Sequence, residues 1–318
     1  MVIDKKECLR ILTENDEFLV LSHEHPDGDT LGCAFALCEA LKLMGKKRAF
    51  MCADEVTNEF SFMTKDFCND ELNNPLVVCV DVADDKLLGP LASQFNGKVD
   101  LCIDHHMSNT FYASNTYLIE KAAACEIIYD LICSLPVEES RYIRNCIYTG
   151  ISTDTGCFRY QNTTPETFKI AAELMEKGID SGKINKLMFE TKSKSFLELE
   201  MLARETLEYH FEGKCAIITI TQDMYRKSGS SEHECHPITA LPREIEGVLV
   251  GAVIKEAEEG KFSISVRTEE GIDASHICRR LGGGGHKGAA GCRPDCDYEE
   301  AKKLLLESVK KSLDGLEQ

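Results

Sequence analysis

Short, nearly unbroken apolar runs recur along the first 190 residues, each followed by a polar turn and then by a stretch with helical spacing. EFLVLSH (17–23), PLVVCVDVA (75–83) and KVDLCIDHH (98–106) read as strands. A run apolar at nearly every position fits a strand covered on both faces, as in a parallel sheet. TLGCAFALCEALKLMG (30–45), AAACEIIYDLICSL (122–135) and TPETFKIAAELMEKG (164–178) read as helices, and RYIRNCIYTGISTDTG (141–156) as a helix running into a loop. Gly45 and Gly178 stand where C-caps are expected, and Pro165 stands in a first turn. This alternation predicts a doubly wound α/β domain.

The pattern then changes. In SKSFLELEMLARETLEYHF (193–211), Phe196, Leu199, Leu202, Ala203, Leu207 and Phe211 recur at helical spacing, which predicts a connecting helix. GKCAIITIT (213–221), EGVLVGAVIKEA (246–257) and GKFSISVRT (260–268) read as strands, while DASHICRRLGG (273–283) and DYEEAKKLLLESVKKSL (297–313) read as helices. The expected organisation is an N-terminal parallel-sheet domain over residues 1–190 and a connecting helix over 191–212. A smaller α/β domain with a mixed sheet follows over 213–318.

Composition narrows the setting. With 318 residues, 43% hydrophobic and 28% charged, the chain reads as a soluble globular protein of two domains. No apolar run approaches the ~20 residues that span a bilayer. The first 18 residues are broken by charges and lack the features of a signal peptide. The expected location is cytoplasmic, with the sixteen cysteines reduced and serving as small hydrophobes. A net charge of −18 argues against gripping long nucleic acid and leaves small anions as the ligands to explain.

Candidate chemistry gathers at the ends of the apolar runs. His23, Asp27 and Asp29 follow the first, Asp81 closes the second, and Asp104, His105 and His106 follow the third. Asp154 lies in GISTDTGCF after a fourth apolar segment. Ligands of open parallel sheets bind beyond the carboxyl ends of the strands, so four strand-end motifs are expected to converge. One aspartate alone is more readily a cap or a turn residue. Together, carboxylates and imidazoles are donors for divalent ions of the Mn, Co or Zn type, and a carboxylate such as Asp81 can bridge two of them.

HEHPDGDT, VCVDVAD, IDHHMSN and GISTDTGCFRY resemble the four motifs of the DHH phosphoesterase superfamily. The resemblance implies two divalent metal ions, most readily Mn2+, with Co2+ or Mg2+ as substitutes. It assigns His23, Asp27 and Asp81 to one ion and Asp29, Asp81, His105 and Asp154 to the other. His106, Asp81 and Asp29 take the catalytic roles, and His25 has none. Thr30, Cys33 and Cys157 depart from the residues common in the family, which bears on pocket shape rather than on the ligands.

The second signal is RRLGGGGHKGAAGC (279–292). Residues 262–293 hold five Lys/Arg and three acids, a small basic patch in an acidic chain. Consecutive glycines let backbone N–H groups approach an anion. Followed by HKGAAG, the run resembles the DHHA1 domain, which implies substrate binding by Arg267, Gly284, Gly285 and His286. The pairing of the two domains without a third looks like the stand-alone nanoRNase and pAp-phosphatase branch. The implied activity is hydrolysis of short oligoribonucleotides, linear dinucleotides or 3′-phosphoadenosine 5′-phosphate. The alternatives are a cyclic di-AMP phosphodiesterase and a non-catalytic nucleotide sensor. Expected partners are short RNA or small nucleotides, with neither long nucleic acid nor membrane; a homodimer is allowed. HECHP (233–237) reads as a polar surface loop rather than a zinc site.

Overall fold

The computed structural model describes residues 1–258, 260–285 and 287–315, in two compact units, Met1–Thr191 and Lys192–Gln318. The first unit runs α1 (Lys5–Glu14), β1 (Glu17–Leu21), α2 (Gly28–Leu43), β2 (Lys47–Met51), α3 (Ser61–Thr64) and β3 (Leu76–Val80). It continues through α4 (Ala92–Phe95), β4 (Leu101–Asp104), β5 (Asn115–Leu118), α5 (Ala124–Ile132), α6 (Arg141–Asp154), α7 (Pro165–Glu176) and α8 (Ser181–Asn185).

Its five strands are all parallel, in the order β2-β1-β3-β4-β5. The period of two decides what each face holds. Phe18, Val20, Val78, Val80, Leu101 and Ile103 join the helices in one core. Leu21, Val77, Cys79 and Cys102 face the other way, onto Leu88, Phe95 and Val99. Both faces are buried, which is why these strands are apolar throughout. The strand order reverses between β1 and β3, the place where doubly wound sheets open a crevice at their carboxyl ends.

One expectation needs correcting here. Asp154 does not follow a strand: it is the last residue of α6. Ile143, Cys146, Ile147, Gly150 and Ile151 are buried at helical spacing, so this apolar segment is a helix throughout.

The second unit opens with α9 (Lys194–Arg204), shorter than predicted. Leu207 falls beyond the helix, and β6 (Glu208–His210) pairs with β7 (Cys215–Ile220) across a turn in which Phe211 and Glu212 have positive φ. Then follow α10 (Gln222–Ser228), β8 (Val250–Glu258), β9 (Lys261–Thr268), α11 (Ala274–Arg279), β10 (Gly284–Gly285), β11 (Ala289–Cys292) and α12 (Tyr298–Asp314). The sheet is mixed, in the order β10-β11-β9-β8-β7-β6, with β7 and β8 the parallel pair. Phe196, Leu199 and Ala203 of α9 pack with Ile218, Ile220 and Val253 of this sheet. The segment holding HECHP is not a surface loop. It lies in 3-10 turns over Glu232–Glu244, with Cys235 and Ile238 buried; the side chains of His233 and His236 lie outside the described residues.

Candidate metal centre

β1 delivers His23 and then Asp27, which caps α2 by accepting from the N–H groups of Asp29 (3.0 Å) and Thr30 (3.1 Å). Thr30 Oγ1 donates to the carbonyl of Val80 at 3.0 Å, tying the start of α2 to the end of β3. Asp81 follows β3 with a φ of 58°, its N–H donating to the Ile103 carbonyl at 2.9 Å. That left-handed residue turns the chain at the strand end. β4 then delivers His105 and His106.

Asp154 arrives from α6 because three glycines let two helices close on each other. A Cβ on Gly28 would stand 2.3 Å from Thr153 Oγ1, and one on Gly32 would stand 2.5 Å from the Cys146 carbonyl. A Cβ on Gly150 would meet Cys125 Sγ at 2.2 Å and Asp29 Oδ1 at 2.7 Å.

Four groups of donor atoms result among the described residues, each with its atoms within 4.8 Å of one another: His23, Asp27 and Asp81; Asp29, His105 and Asp154; Asp81, His105 and His106; and Asp29, Cys33 and Cys125. His105 Nε2 lies 3.4 Å from Asp81 Oδ1 and 3.9 Å from both Asp29 Oδ2 and Asp154 Oδ2. His105 Nδ1 lies 3.0 Å from the Lys121 carbonyl, which can only accept. Nδ1 therefore donates, and Nε2 is the ring nitrogen that faces the carboxylates.

The electrostatics call for a cation. Burial and then the Asp29 charge hold Asp81 well above the usual carboxylate range. The same two causes push Asp154 up to about 8. Burial alone would pull His105 down, but its contact with Asp81 and the charge of Asp29 outweigh this and push it up to about 11. Asp81 Oδ1 is buried with no hydrogen-bond partner. A buried acceptor without a donor, among like charges, fits a bound divalent ion. The oxygen and imidazole donors suit Mn, Co or Zn.

In the second unit, Arg267 lies on β9 opposite Ala289 of β11, and Gly285 of β10 lies opposite Ala290. Gly284 and Gly285 are thus an edge strand at the same end of the sheet as Arg267, and not an open loop. Gly283 and Gly285 answer packing: a Cβ would stand 2.1 Å from the Gly291 carbonyl and 2.7 Å from that of Ala289. His286 lies outside the described residues.

The DHH family N-terminal domain matches residues 17–151, and the DHHA1 domain matches residues 217–314. Over 307 residues the chain is 31% identical to the bifunctional oligoribonuclease and PAP phosphatase NrnA of Thermus thermophilus, covering 92% of this chain and 89% of that protein. The chain belongs to the DHH/DHHA1 family. It is also 27% identical to a probable NrnA of Streptococcus mutans, over 94% of this chain and 98% of that one. In fold it is similar to an exopolyphosphatase-related protein from Bacteroides fragilis, with a TM-score of 0.90 and 23% identity, covering 99% of this chain and 97% of that structure.

The aspartate that opens the DHH motif stands among the strand-end residues in the sequence, where no role was assigned to it. Asp104 Oδ1 accepts from the N–H groups of His105 (2.8 Å) and His106 (3.2 Å), and His106 Nδ1 lies 2.8 Å from it. Asn109 Nδ2 donates to Asp104 Oδ2 at 2.6 Å. Burial alone would raise Asp104, but its bonds with His106 and Asn109 outweigh this and hold it lowered. The signal was Asn109 inside IDHHMSN. Asp29 has a comparable support: its Oδ2 accepts from the Ala124 N–H (2.6 Å) and its Oδ1 from that of Cys125 (2.9 Å). Cys33 Sγ lies 3.8 Å from Asp29 Oδ1 and 3.5 Å from Cys125 Sγ. Burial raises both thiols, so they stay protonated beside Asp29. His25 turns to Asp54, with Nδ1 2.6 Å from Oδ2.

Proposed function

We propose that this DHH/DHHA1 protein is a metal-dependent phosphoesterase. Its substrates are short oligoribonucleotides, linear dinucleotides and 3′-phosphoadenosine 5′-phosphate. The observation that carries the reading is Asp81, a buried carboxylate whose Oδ1 has no hydrogen-bond partner and which groups with His23 and Asp27 on one side and with His105 and His106 on the other. The NrnA relatives support the substrate class, and the net charge of −18 favours short substrates over long ones.

His23, Asp27 and Asp81 would hold one divalent ion, and Asp29, Asp81, His105 and Asp154 the other, with Mn2+ as the native ion. Such a pair, when bound, acidifies a water and neutralises charge on the phosphoryl oxygens. Asp104 holds the His106 ring through Nδ1, so proton transfer to or from a substrate oxygen falls to Nε2. Lys121 and the N-terminus of α5 fix His105 and Asp29 before substrate arrives, which limits reorganisation during the reaction. Arg267, His286 and the backbone of Gly284 and Gly285 are assigned to the substrate phosphate.

Catalysis is assigned to residues 1–190 and substrate binding to 213–318, with 191–212 supplying α9 and β6 of the second unit instead of one connecting helix. Sixteen free cysteines, several of them buried, suit a reducing, cytoplasmic setting.

Asp81→Ala is expected to lower Mn2+-dependent hydrolysis of pApA by about a thousandfold or more, because both ions lose a ligand. Retained turnover in that variant would overturn the assignment.

A further inference from the structure

The segment after Asp154 holds two side chains out of the fold. Gly156, Cys157 and Phe158 have φ values of 56°, 60° and 63°. Two successive non-glycine residues in the left-handed region are costly, and they persist only where the surroundings fix them. Here Phe158 turns inward, its ring 5.9 Å from that of Tyr148 and 5.5 Å from that of Phe168. Asn162 Nδ2 donates to the carbonyls of Ala122 (2.9 Å) and Asp154 (3.1 Å). The Thr155 carbonyl accepts from the N–H groups of Arg159 (2.9 Å) and Tyr160 (3.0 Å).

Arg159 and Tyr160 are therefore exposed, five and six positions after a candidate metal ligand. The Tyr160 ring lies against Gly156, where a Cβ would come within 2.3 to 2.6 Å of ring atoms. Backbone covers part of the ring, and the residue is still 51% exposed. Arg159 Nε donates to the Gly156 carbonyl at 2.6 Å. Its two terminal amino groups make no hydrogen bond or ion pair among the described residues.

We propose that Tyr160 and Arg159 form a nucleotide subsite beside the metal centre. The fixed ring is a platform for one base, and the guanidinium binds the terminal phosphate of the same substrate. A base stacks on an aromatic face whatever its identity, and the planar guanidinium matches a phosphate through two donors. The positive φ at Gly156 and the ring packed on it explain why glycine stands there. The subsite rests on the phosphoesterase reading and adds where in the first unit a base and a second phosphate are read.

Two pairs of substrates test it. Tyr160→Leu is expected to lose about tenfold more kcat/KM on pApA than on the same molecule lacking its bases, and Tyr160→Phe is expected to restore the difference. Arg159→Ala is expected to remove the preference for pApA over ApA, which lacks the terminal phosphate. Equal losses on the members of each pair, or wild-type selectivity in Tyr160→Leu and Arg159→Ala, would overturn the subsite. Turnover of neither substrate by the wild-type protein would sink the phosphoesterase reading instead. Calorimetric binding of pApA would then decide the subsite by itself, with about tenfold weaker binding to Tyr160→Leu supporting it and equal binding overturning it.

Discussion

Asp81 is 4% exposed, in the left-handed region, and has one oxygen with no hydrogen-bond partner. His105 Nε2 and His106 Nδ1 lie 3.4 Å from that oxygen without a hydrogen bond to it, so the cost of burying the carboxylate is only partly offset until a cation binds. Asp81→Asn keeps the volume and removes the charge. Its melting temperature without metal is expected to equal or exceed that of the wild type, while the increment produced by Mn2+ disappears; thermal scans with Mn2+ and with EDTA check both. The pH dependence has a definite sign. Asp154 is raised to about 8 from an ordinary 3.8, and Asp81 is raised as well. The folded metal-free protein therefore holds protons that the unfolded chain releases, and these groups lose stability as pH rises from about 4 towards 8. An ion must displace the same protons. The stabilisation by Mn2+ is expected to be larger at pH 8 than at pH 6, with protons released on binding; a larger increment at pH 6 would contradict the electrostatics. The candidate donors that gather at the site were legible because most of the motifs pair acids or imidazoles with the end of an apolar run. Asp104 and Asn109 were not, since one supports the other through a hydrogen bond that spacing does not reveal. Asp104→Ala is expected to lower kcat more than it raises KM, because it releases His106 without removing a candidate metal ligand.

Among the elements, the contact of α2 with α6 decides whether the motifs meet. Gly28, Gly32 and Gly150 leave no room for a Cβ, so the helices approach on glycine and bring Asp29 towards Asp154. Gly150→Ala is expected to destabilise the fold by about 1–3 kcal/mol through overpacking and to weaken Mn2+ binding. Gly45→Ala costs only the strain of its φ of 75°, about 1 kcal/mol, and leaves metal affinity unchanged, because nothing lies within 4 Å of the added methyl. Denaturation and metal titration of both variants separate packing from backbone strain. The interior strands β1, β3 and β4 were legible because burial on both faces makes them apolar throughout. The edge strands were not: Lys47–Met51 carries two charges, and Gly284–Gly285 has no side chains to show a period. The helix at Lys194–Arg204 was read too long because Leu207 and Phe211 keep its spacing by coincidence, on the way into a strand and a turn. Asp154 was counted with the strand-end motifs although its segment, 141–156, reads as a helix running into a loop, and the helix is what the structure holds.

Across the whole molecule, sheet order and charge set the limits on function. The order β2-β1-β3-β4-β5 puts its reversal between the strands that deliver Asp27 and Asp81, which explains why motifs so far apart in sequence share one place. Among the described residues, no helix is long and apolar enough to cross a membrane. On the proposed reading, the charge of −18 favours short substrates over long polyanions. The most direct measurement of the central claim is product formation with Mn2+ on five substrates side by side: 3′-phosphoadenosine 5′-phosphate, pApA, a five-nucleotide RNA, cyclic di-AMP and pyrophosphate. Turnover of the first three, abolished by EDTA, is the predicted result; release of phosphate from pyrophosphate alone would contradict the account.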